Sequence, residues 1–550
     1  MNLWLHIPSK YILLAILAVA FLLRVNNLTI GFPMLYVSND EAIYHQSALN
    51  MIANRTPFTL GNYGPLGAYV QVVFLMIAFG VMFATGVIHS SSDLVYLLAT
   101  QEGYLLFIPR VISAMFGTLS VLVVYLLSKE LFGDRKAALW SALFFALSFN
   151  FAHVSHLARA WSPAIFFVLC AVLFAVKSVK NTSKKTRYTM IAFVMAALAF
   201  GFHQLSGIVV LLIILIKIFG KTQAFAETFR RDNLFSLGIW FFLIIFFNFL
   251  SVGAGFFGKL SPSNSSVGLI KVPIHINLFK FSGDLILTDG VIAFLTVIFF
   301  LIKRPKNGIL LAFGIFLIIN FIASISILPP FVRYFMVALS IFPLFAGYVI
   351  SQLVDRLIKI NKHLAAMTVI LVMFAASFDS LYWNLLLLKH PTFDQVRVWL
   401  DANIDQRVPI GVTARRSFDY VPTASASAPI RKLNANFYLL ASKVVGDNYG
   451  PNVRNVLYLD QLKGGSKSTD LTKGLEVYPV LYVVDPYLSE GERLINQKTN
   501  VKLKLIAHFS PTGKVISKDL IPQALFDAPY NLPFFKVDRV GPYFDVLRVE

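Results

Sequence analysis

Long apolar runs separated by short polar stretches constrain this chain more than any other feature. A helix needs about 20 apolar residues to cross the hydrocarbon core of a bilayer. Because lipid offers the backbone no hydrogen-bond partners, such runs must be helical. The pattern predicts a polytopic α-helical membrane domain of about eleven transmembrane helices, at residues 11–30, 105–127, 137–153, 161–177, 188–202, 205–220, 234–252, 285–302, 308–328, 335–352 and 364–384.

A shift in composition near residue 385 divides the chain into two parts. The whole chain is 57% apolar and 14% charged, whereas soluble domains carry about 25% charged residues, and the deficit lies before residue 385. We therefore predict a membrane domain at residues 1–384 and a soluble domain at residues 385–550. In the second part, apolar residues at helical spacing (Val396, Trp399, Leu400 and Ile404) precede strand patterns at 408–413, 479–484 and near 536–548. This order indicates an α/β or α+β domain.

The basic residues predict the orientation of the spans. After residue 104, 18 Lys and Arg residues lie in one alternating set of loops and 5 in the other. Cytoplasmic loops carry the excess of positive charge, so the second set and the soluble domain should lie outside an inner (plasma) membrane. The net charge of +20 is therefore explained by membrane orientation, and a nucleic-acid partner is not expected.

One apolar segment, residues 66–88, leaves the side of the first polar loop open. Its composition is apolar enough to span the bilayer. If it spans, the loop around Asp40 is cytoplasmic, opposite the soluble domain. If it lies along the outer interface, residues 31–104 form an outer loop with juxtamembrane helices.

The pair Asp40–Glu41 follows the first span and permits two interpretations. Acidic residues after a capping Ser38 or Asn39 are typical of a helix start, because they suit the helix dipole, and this helix should end before Pro57. Alternatively, a carboxylate at the membrane surface can act as a general base on an acceptor hydroxyl, or both can hold a divalent metal ion.

Several basic and aromatic residues near predicted outer loops are candidate phosphate ligands. Arg159 lies in HVSHLARAWSP, and a guanidinium group matches phosphate in two-point geometry. His156 is close to it in sequence, and Arg333–Tyr334 lie in another outer loop. Each can equally be an interfacial anchor. Arg110, at the entry to the 105–127 span, is not assignable from spacing alone.

The order of these motifs resembles that of the GT-C glycosyltransferases, in particular the group related to dolichyl-phosphate-mannose protein mannosyltransferases and lipid A aminoarabinose transferases. The resemblance covers roughly residues 11–405. It rests on Asp40–Glu41, SHLARAWSP, VRYFMVALSIFP, WLDANI and the tract FIPRVISAMFGTLSVLVVYLLSKELFGDRKAALWSALFFAL, which includes Arg110. In such proteins the stretch after a motif like Tyr63-Gly64-Pro65-Leu66 forms juxtamembrane helices on the outer face. The resemblance therefore implies that 66–88 does not span.

The resemblance also implies an activity and roles for these residues. It implies transfer of a hexosyl or pentosyl group, with inversion, from a polyprenyl-phosphate donor to a glycan, lipid or protein acceptor outside the membrane. Asp40 would be the base and Glu41 would support it or a metal ion; no other cofactor is implied. Arg159, Arg333, Tyr334, His156 and Arg110 would bind the donor phosphate.

Departures from the family pattern narrow this expectation. Asn62-Tyr63-Gly64-Pro65 replaces the acidic-Lys-Pro-Pro stretch of aminoarabinose transferases, and Ile43 replaces a basic residue, so lipid A modification is not favoured. The inserted luminal domain of mannosyltransferases and the tryptophan-rich signature of oligosaccharyltransferases are also missing. A transporter or flippase of lipid-linked sugars, which would need broken helices or ionisable residues near mid-membrane, and a non-catalytic scaffold are the alternatives.

Overall fold

The computed structural model defines most of the membrane helices and the central sheet of the C-terminal region. The described residues are 8–32, 39–59, 64–181, 183–220, 231–252, 274–302, 307–326, 332–413, 420–427, 443–449, 452–459, 480–487, 493–496, 501–512, 538–539 and 541–550.

Within the described residues, each predicted span overlaps a helix or a bent helix pair, and seven helices, or nine if each bent pair is one span, are long and apolar enough to cross a membrane. This confirms an integral membrane protein. The span helices are α1 (Ser9–Val25), α5 (Phe107–Phe132), α6 (Arg135–Leu147), α7 (Phe149–His156), α8 (Trp161–Lys180), α9 (Lys185–Phe202), α10 (Val209–Phe219), α11 (Arg231–Val252), α12 (Ile274–Ile302), α13 (Gly308–Ser326), α14 (Met336–Leu339), α15 (Phe342–Ile360) and α16 (Lys362–Leu387). The first loop contributes α2 (Asn39–Asn54), α3 (Leu66–Ala84) and α4 (Ser91–Gln101). As expected, α2 ends before Pro57.

Sharp bends or breaks interrupt three of the predicted spans in the part of the chain that the structure describes. Helices α6 and α7 form one span bent by 52°, and residues 332–339 bend by 57° against α15. In α12, Asp289 has non-helical angles (φ −137°, ψ 30°). A sharp bend inside a span frees backbone groups that lipid cannot satisfy, so each bend requires protein partners.

The chain forms two compact units. One comprises residues 1–26, 43–72 and 109–381, and the other comprises 27–42, 73–108 and 382–550. The first contains the membrane helices from α5 to α15 together with α1 and most of α16. The second contains the soluble part predicted from composition, but it also includes two segments of the first loop.

Within the first unit, the segment leading to α3 packs on the ends of two spans. The Thr59 amide donates to the Leu250 carbonyl (3.1 Å), and the rings of Phe58 and Phe249 lie 5.6 Å apart. Gly64 approaches the carbonyl of Phe202 so closely that a side chain there would overlap it. The start of α3 therefore lies at the C-terminal ends of α9 and α11.

The second unit is built on a five-stranded mixed sheet of order β4-β1-β5-β7-β6. Its strands are β1 (Ile410–Val412), β4 (Val456–Tyr458), β5 (Tyr482–Tyr487), β6 (Leu503–Phe509) and β7 (Tyr543–Val549), and β2 (Val421–Pro422) pairs with β3 (Val453–Arg454) outside it. Strands β4, β1 and β5 are parallel, whereas β7 and β6 are antiparallel. The amphipathic helix predicted at 396–404 is α17 (Thr392–Asn403), and the predicted strands at 408–413 and 479–484 correspond to β1 and β5.

Helix α4 belongs to this second unit through direct contacts. Asn452 Nδ2 donates to the Thr100 carbonyl (2.8 Å), and Ala99 packs with Val445 and Val453. A segment of the first loop thus packs with the C-terminal sheet within the second unit, which composition does not reveal because α4 is short and polar.

Replacing Gly347 with Ala should destabilise the membrane unit. A Cβ at Gly347 would lie 2.7 Å from Cα of Ser141, so α6 and α15 would have to move apart. We expect a loss of about 1–3 kcal/mol, as for overpacking of other cores, measured by thermal unfolding of the purified protein. Gly283→Ala in α12 meets nothing within 4 Å and should not lower stability, because alanine is favoured over glycine inside a helix. Equal effects of the two substitutions would contradict the tight α6–α15 contact.

Candidate functional site

One face of α5 carries three residues that lie beside the C-terminal end of α7 and the turn after it. Arg110, Ser113 and Gly117 lie at helical spacing, so they share one face of α5. Ser113 Oγ donates to the Arg159 carbonyl (3.1 Å). A Cβ at Gly117 would overlap Ser155, so only glycine permits this approach. The face therefore fixes the position of residues 155–159.

A cluster of buried basic groups lies beside this face. The side chains of Arg24 and Arg110 are fully buried, and Arg159 is 4% exposed. The positive charges of Arg24 and Arg110 both act on His156, whose Nδ1 contacts the Ala152 carbonyl (2.9 Å). Charged groups inside a membrane domain are rare and mark sites with a specific task. The structure thus brings together the predicted residues Arg110 and His156, with Arg24 added.

Arg159 borders a small cavity at the same end of the spans. The lining includes Tyr44, Gly67, Gln71, Ser113, Arg159 and Phe202. These residues come from α2, α3, α5, the turn after α7, and the end of α9. The cavity volume is about 20 Å³, which is room for about one water molecule. A sugar is larger than this volume, so a substrate would require the lining elements to move apart.

Helix α2 begins with the acidic pair. Asp40 lies in the first turn of α2, as predicted, and Tyr44, which lines the cavity, is one turn further along. Glu41 and His45 are fully buried. The side chain of Asp40 lies outside the described part of the structure, so its proposed role remains a prediction.

Arg333 and Tyr334 lie in the 3₁₀ turn Val332–Phe335. The Arg333 guanidinium is 5.3 Å from the centre of the Tyr334 ring, and both side chains are half-buried. Neither residue lines the cavity beside Arg159. Their predicted part in phosphate binding therefore remains a hypothesis separate from the basic cluster.

Arg24 and Asp289 are among the buried charges that sequence reasoning missed. Arg24 is the only charged residue in the first span after Lys10. Asp289 is 4% exposed at the kink of α12. A charged residue inside an apolar span indicates a position with a specific role. The sequence does not reveal which helix that residue contacts.

The predicted metal site stays untested. Among the described residues, no three His, Cys, Asp or Glu side chains are grouped as ligands for a metal ion. Carboxylate oxygens suit a divalent cation such as Mg²⁺, so Asp40 and Glu41 are the residues of suitable chemistry.

A model of a known protein family matches part of the chain. The model for dolichyl-phosphate-mannose-protein mannosyltransferase matches residues 103–251, a range that includes Arg110, His156 and Arg159. No curated protein sequence matches the chain significantly.

Comparison with solved structures extends the likeness over most of the chain. The oligosaccharyltransferase AglB from Archaeoglobus fulgidus, in complex with an inhibitory peptide and a dolichol-phosphate, is 15% identical with a TM-score of 0.51, covering 87% of this chain and 69% of that one. Apo ArnT from Cupriavidus metallidurans is 12% identical with a TM-score of 0.51, covering 87% and 92%. At such identities the likeness concerns the fold.

His45 should make the protein less stable as the pH falls. Burial lowers the pKa of His45 to about 4, although a hydrogen bond with Gln71 opposes this effect. Because the unfolded state takes up the proton near pH 6.5, folding stability should decrease from about pH 6.5 downwards, by about 1.4 kcal/mol at pH 5.5. His45→Gln should remove this part of the pH dependence in thermal unfolding, whereas His363→Gln at an exposed position should not. Parallel pH curves for wild type and His45→Gln would refute a buried neutral His45.

Proposed function

Because this chain has the fold of the GT-C glycosyltransferases, we propose that it transfers a sugar from a polyprenyl-phosphate-linked donor to an acceptor at the extracytoplasmic face of the plasma membrane. The buried basic residues Arg110, His156 and Arg159, with Arg24 beside His156, are the observation that carries this proposal. AglB, one of the similar structures, was solved with a dolichol-phosphate. A hexosyl or pentosyl group is transferred, with inversion at the anomeric carbon.

The basic cluster suits the leaving group of this reaction. When the sugar departs, negative charge develops on the lipid phosphate, and preorganised positive groups in a water-poor site stabilise that charge. Arg110 provides a fixed charge that acts on His156, and Arg159 provides a second one at the cavity three residues later. Arg333 and Tyr334 are a second phosphate-binding pair in this proposal.

Asp40 is the candidate base on α2, one turn before Tyr44 at the cavity. Removal of the acceptor proton raises the nucleophilicity of its oxygen as the new glycosidic bond forms and the bond to phosphate breaks. Glu41, buried one residue later, supports Asp40 or a divalent metal ion. A glycan, lipid or protein hydroxyl fits this chemistry.

Contacts within each unit support an outer location for both the acidic pair and the soluble domain. The start of α3 and the segment before it pack on Gly201, Phe202 and Leu250. These residues lie at the C-terminal ends of α9 and α11, and both helices begin beside basic loops. Helix α4, after α3, docks on the soluble domain. The sequence predicts ten spans from residue 105 onwards, and an even number of crossings returns the chain to its starting side, which supports a soluble domain on the side of α4. Composition alone leaves α3 among the candidate spans, but this arrangement favours an interfacial helix.

A transporter is the second candidate function, because the spans contain features that this class requires. Helices α6–α7 and residues 332–360 are bent, and Asp289 is a buried ionisable residue at a kink. Transporters use such features to bind ions or substrates near mid-membrane. In this chain the carboxylate of Asp289 accepts hydrogen bonds from protein groups around the bend. This favours a structural role for Asp289 over the binding of a transported ion or substrate.

Asp40→Asn should abolish transfer while leaving the protein folded. Removing a general base typically slows a reaction by about 10²–10⁴-fold. The assay uses the purified protein, labelled lipid-linked sugars and acceptors, with release of polyprenyl phosphate followed by mass spectrometry. Asp93→Asn is the matched control: Asp93 Oδ2 accepts the Ser90 amide at the start of α4 (2.9 Å), and asparagine can also cap a helix. Full turnover by Asp40→Asn would exclude it as the base, and movement of donor across vesicles without its consumption would favour a transporter.

Single cysteines should report the same side for both ends of α3. In a Cys170→Ala background, the exposed positions Asn54→Cys and Ser92→Cys flank α3, and Ser183→Cys lies in a predicted cytoplasmic loop. We expect a membrane-impermeant maleimide to label the first two in intact cells and Ser183→Cys only after permeabilisation. Labelling of residues 54 and 92 from opposite sides would mean that α3 spans the membrane.

A further inference from the structure

The break between α6 and α7 poses a specific electrostatic problem. Where a helix ends, the last carbonyls and the first amides of the next helix lose their intrahelical partners. They also carry the partial charges of the helix dipoles, negative at the end of α6 and positive at the start of α7. Inside a membrane domain these groups must be satisfied by protein. Each side of the break therefore requires a complementary partner.

Arg24 of α1 supplies that partner at the end of α6. Its Nη1 donates to the Ala146 carbonyl (3.2 Å) and to Ala20 on its own helix (2.9 Å), and its Nη2 donates to the Phe145 carbonyl (3.3 Å). The side chain is fully buried. A cation thus caps the negative end of α6.

Asp289 of α12 supplies the opposite partner at the start of α7. Its Oδ2 accepts from Ser148 Oγ (2.9 Å) and Asn150 Nδ2 (2.6 Å), and the amides of Phe149 and Asn150 also act on the carboxylate. An anion thus caps the positive end of α7. Asn150 additionally donates to Thr288 Oγ1 (2.9 Å), which holds the kinked part of α12 against the break.

Helix α7 connects this break to the basic cluster. It is eight residues long and ends at His156, and three residues later Arg159 borders the cavity. A short helix has few hydrogen bonds of its own, so its direction depends on what holds its first turn. Any rotation of α7 at Ser148 would displace His156 and the turn after it.

We infer that Arg24 and Asp289 are positioning residues for the donor phosphate: by capping the two sides of the α6–α7 break, they hold His156 and Arg159 in place. This inference rests on the proposed function for the identity of the ligand. The capping itself is independent of that function. Neither residue is a catalytic residue, because each acts through the backbone of α6 and α7.

Hydrogen–deuterium exchange and donor kinetics together test the inference on the full-length protein. The disruptive variants are Arg24→Leu and Asp289→Leu. Asp289→Asn is the conservative variant, because its Oδ1 can still accept from Ser148. Thr296→Val is the matched control, since Thr296 is a buried donor in α12 that contacts the Phe342 carbonyl (2.9 Å) and not the break.

We expect amides in peptides covering 148–160 to exchange about tenfold faster in both leucine variants, as expected when a helix cap is lost. The KM for the lipid donor should rise about tenfold with the acceptor KM unchanged, because misplacement of a binding group weakens donor binding. Asp289→Asn should stay near wild type. Thr296→Val should change neither quantity, and any loss of folded protein would lower only the maximal rate.

The outcomes separate the two claims. Unchanged exchange of 148–160 in the leucine variants would overturn the capping, whatever the activity. Faster exchange with an unchanged donor KM in an active enzyme would overturn the positioning role. If the wild type transfers no sugar and releases no polyprenyl phosphate with any donor tested, the proposed function fails, while the exchange data still decide whether the two charges hold the break.

Discussion

The absence of hydrogen-bond partners in lipid is the constraint on which this architecture depends. A straight helix satisfies its own backbone, but the bent α6–α7 span cannot. The chain resolves this with two buried charges of opposite sign, Arg24 at the end of α6 and Asp289 at the start of α7. Because these charges come from α1 and α12, they hold two helices that are distant in sequence against the α6–α7 break. The turn that carries Arg159 follows α7, so its position depends on this break.

Much of the fold was predictable because it follows from local composition. The spans follow from the length of apolar runs, and β1 and β5 follow from short apolar stretches bounded by polar residues. The start of α2 at Asn39–Asp40 and its end before Pro57 follow from capping and from the restriction that proline imposes on the preceding residue.

The site was less predictable because it depends on which helices meet. Arg110 and His156 were identified separately, but their proximity requires the glycine at position 117 that lets α5 approach α7. Arg24 and Asp289 are visible in the sequence as charges within apolar surroundings. Their partners are backbone groups at a helix break, and the sequence around Leu147 and Ser148 contains no proline or glycine to reveal that break.

Bent helices and buried charges in a membrane protein are often associated with translocation, and here they have another explanation. In a transporter, unwound backbone at mid-membrane is left available to the ion or substrate. At the α6–α7 break, the carbonyls of Phe145 and Ala146 and the amides that follow already interact with protein charges. Because protein groups hold this backbone in place, the break suits a rigid phosphate-binding site better than a moving gate.

The docking of α4 on the sheet domain limits which segments of this protein can be exchanged with those of a related protein. A composition boundary at residue 385 suggests a detachable module, yet residues 73–108 fold with it through Ala99 and Thr100. An evolutionary exchange of the C-terminal domain alone would expose the Val445–Val453 surface and leave α4 without its partner. We expect domain exchange among related proteins to carry the loop and the sheet together. The two segments would then be inherited as one unit, although about 270 residues of membrane protein separate them along the chain.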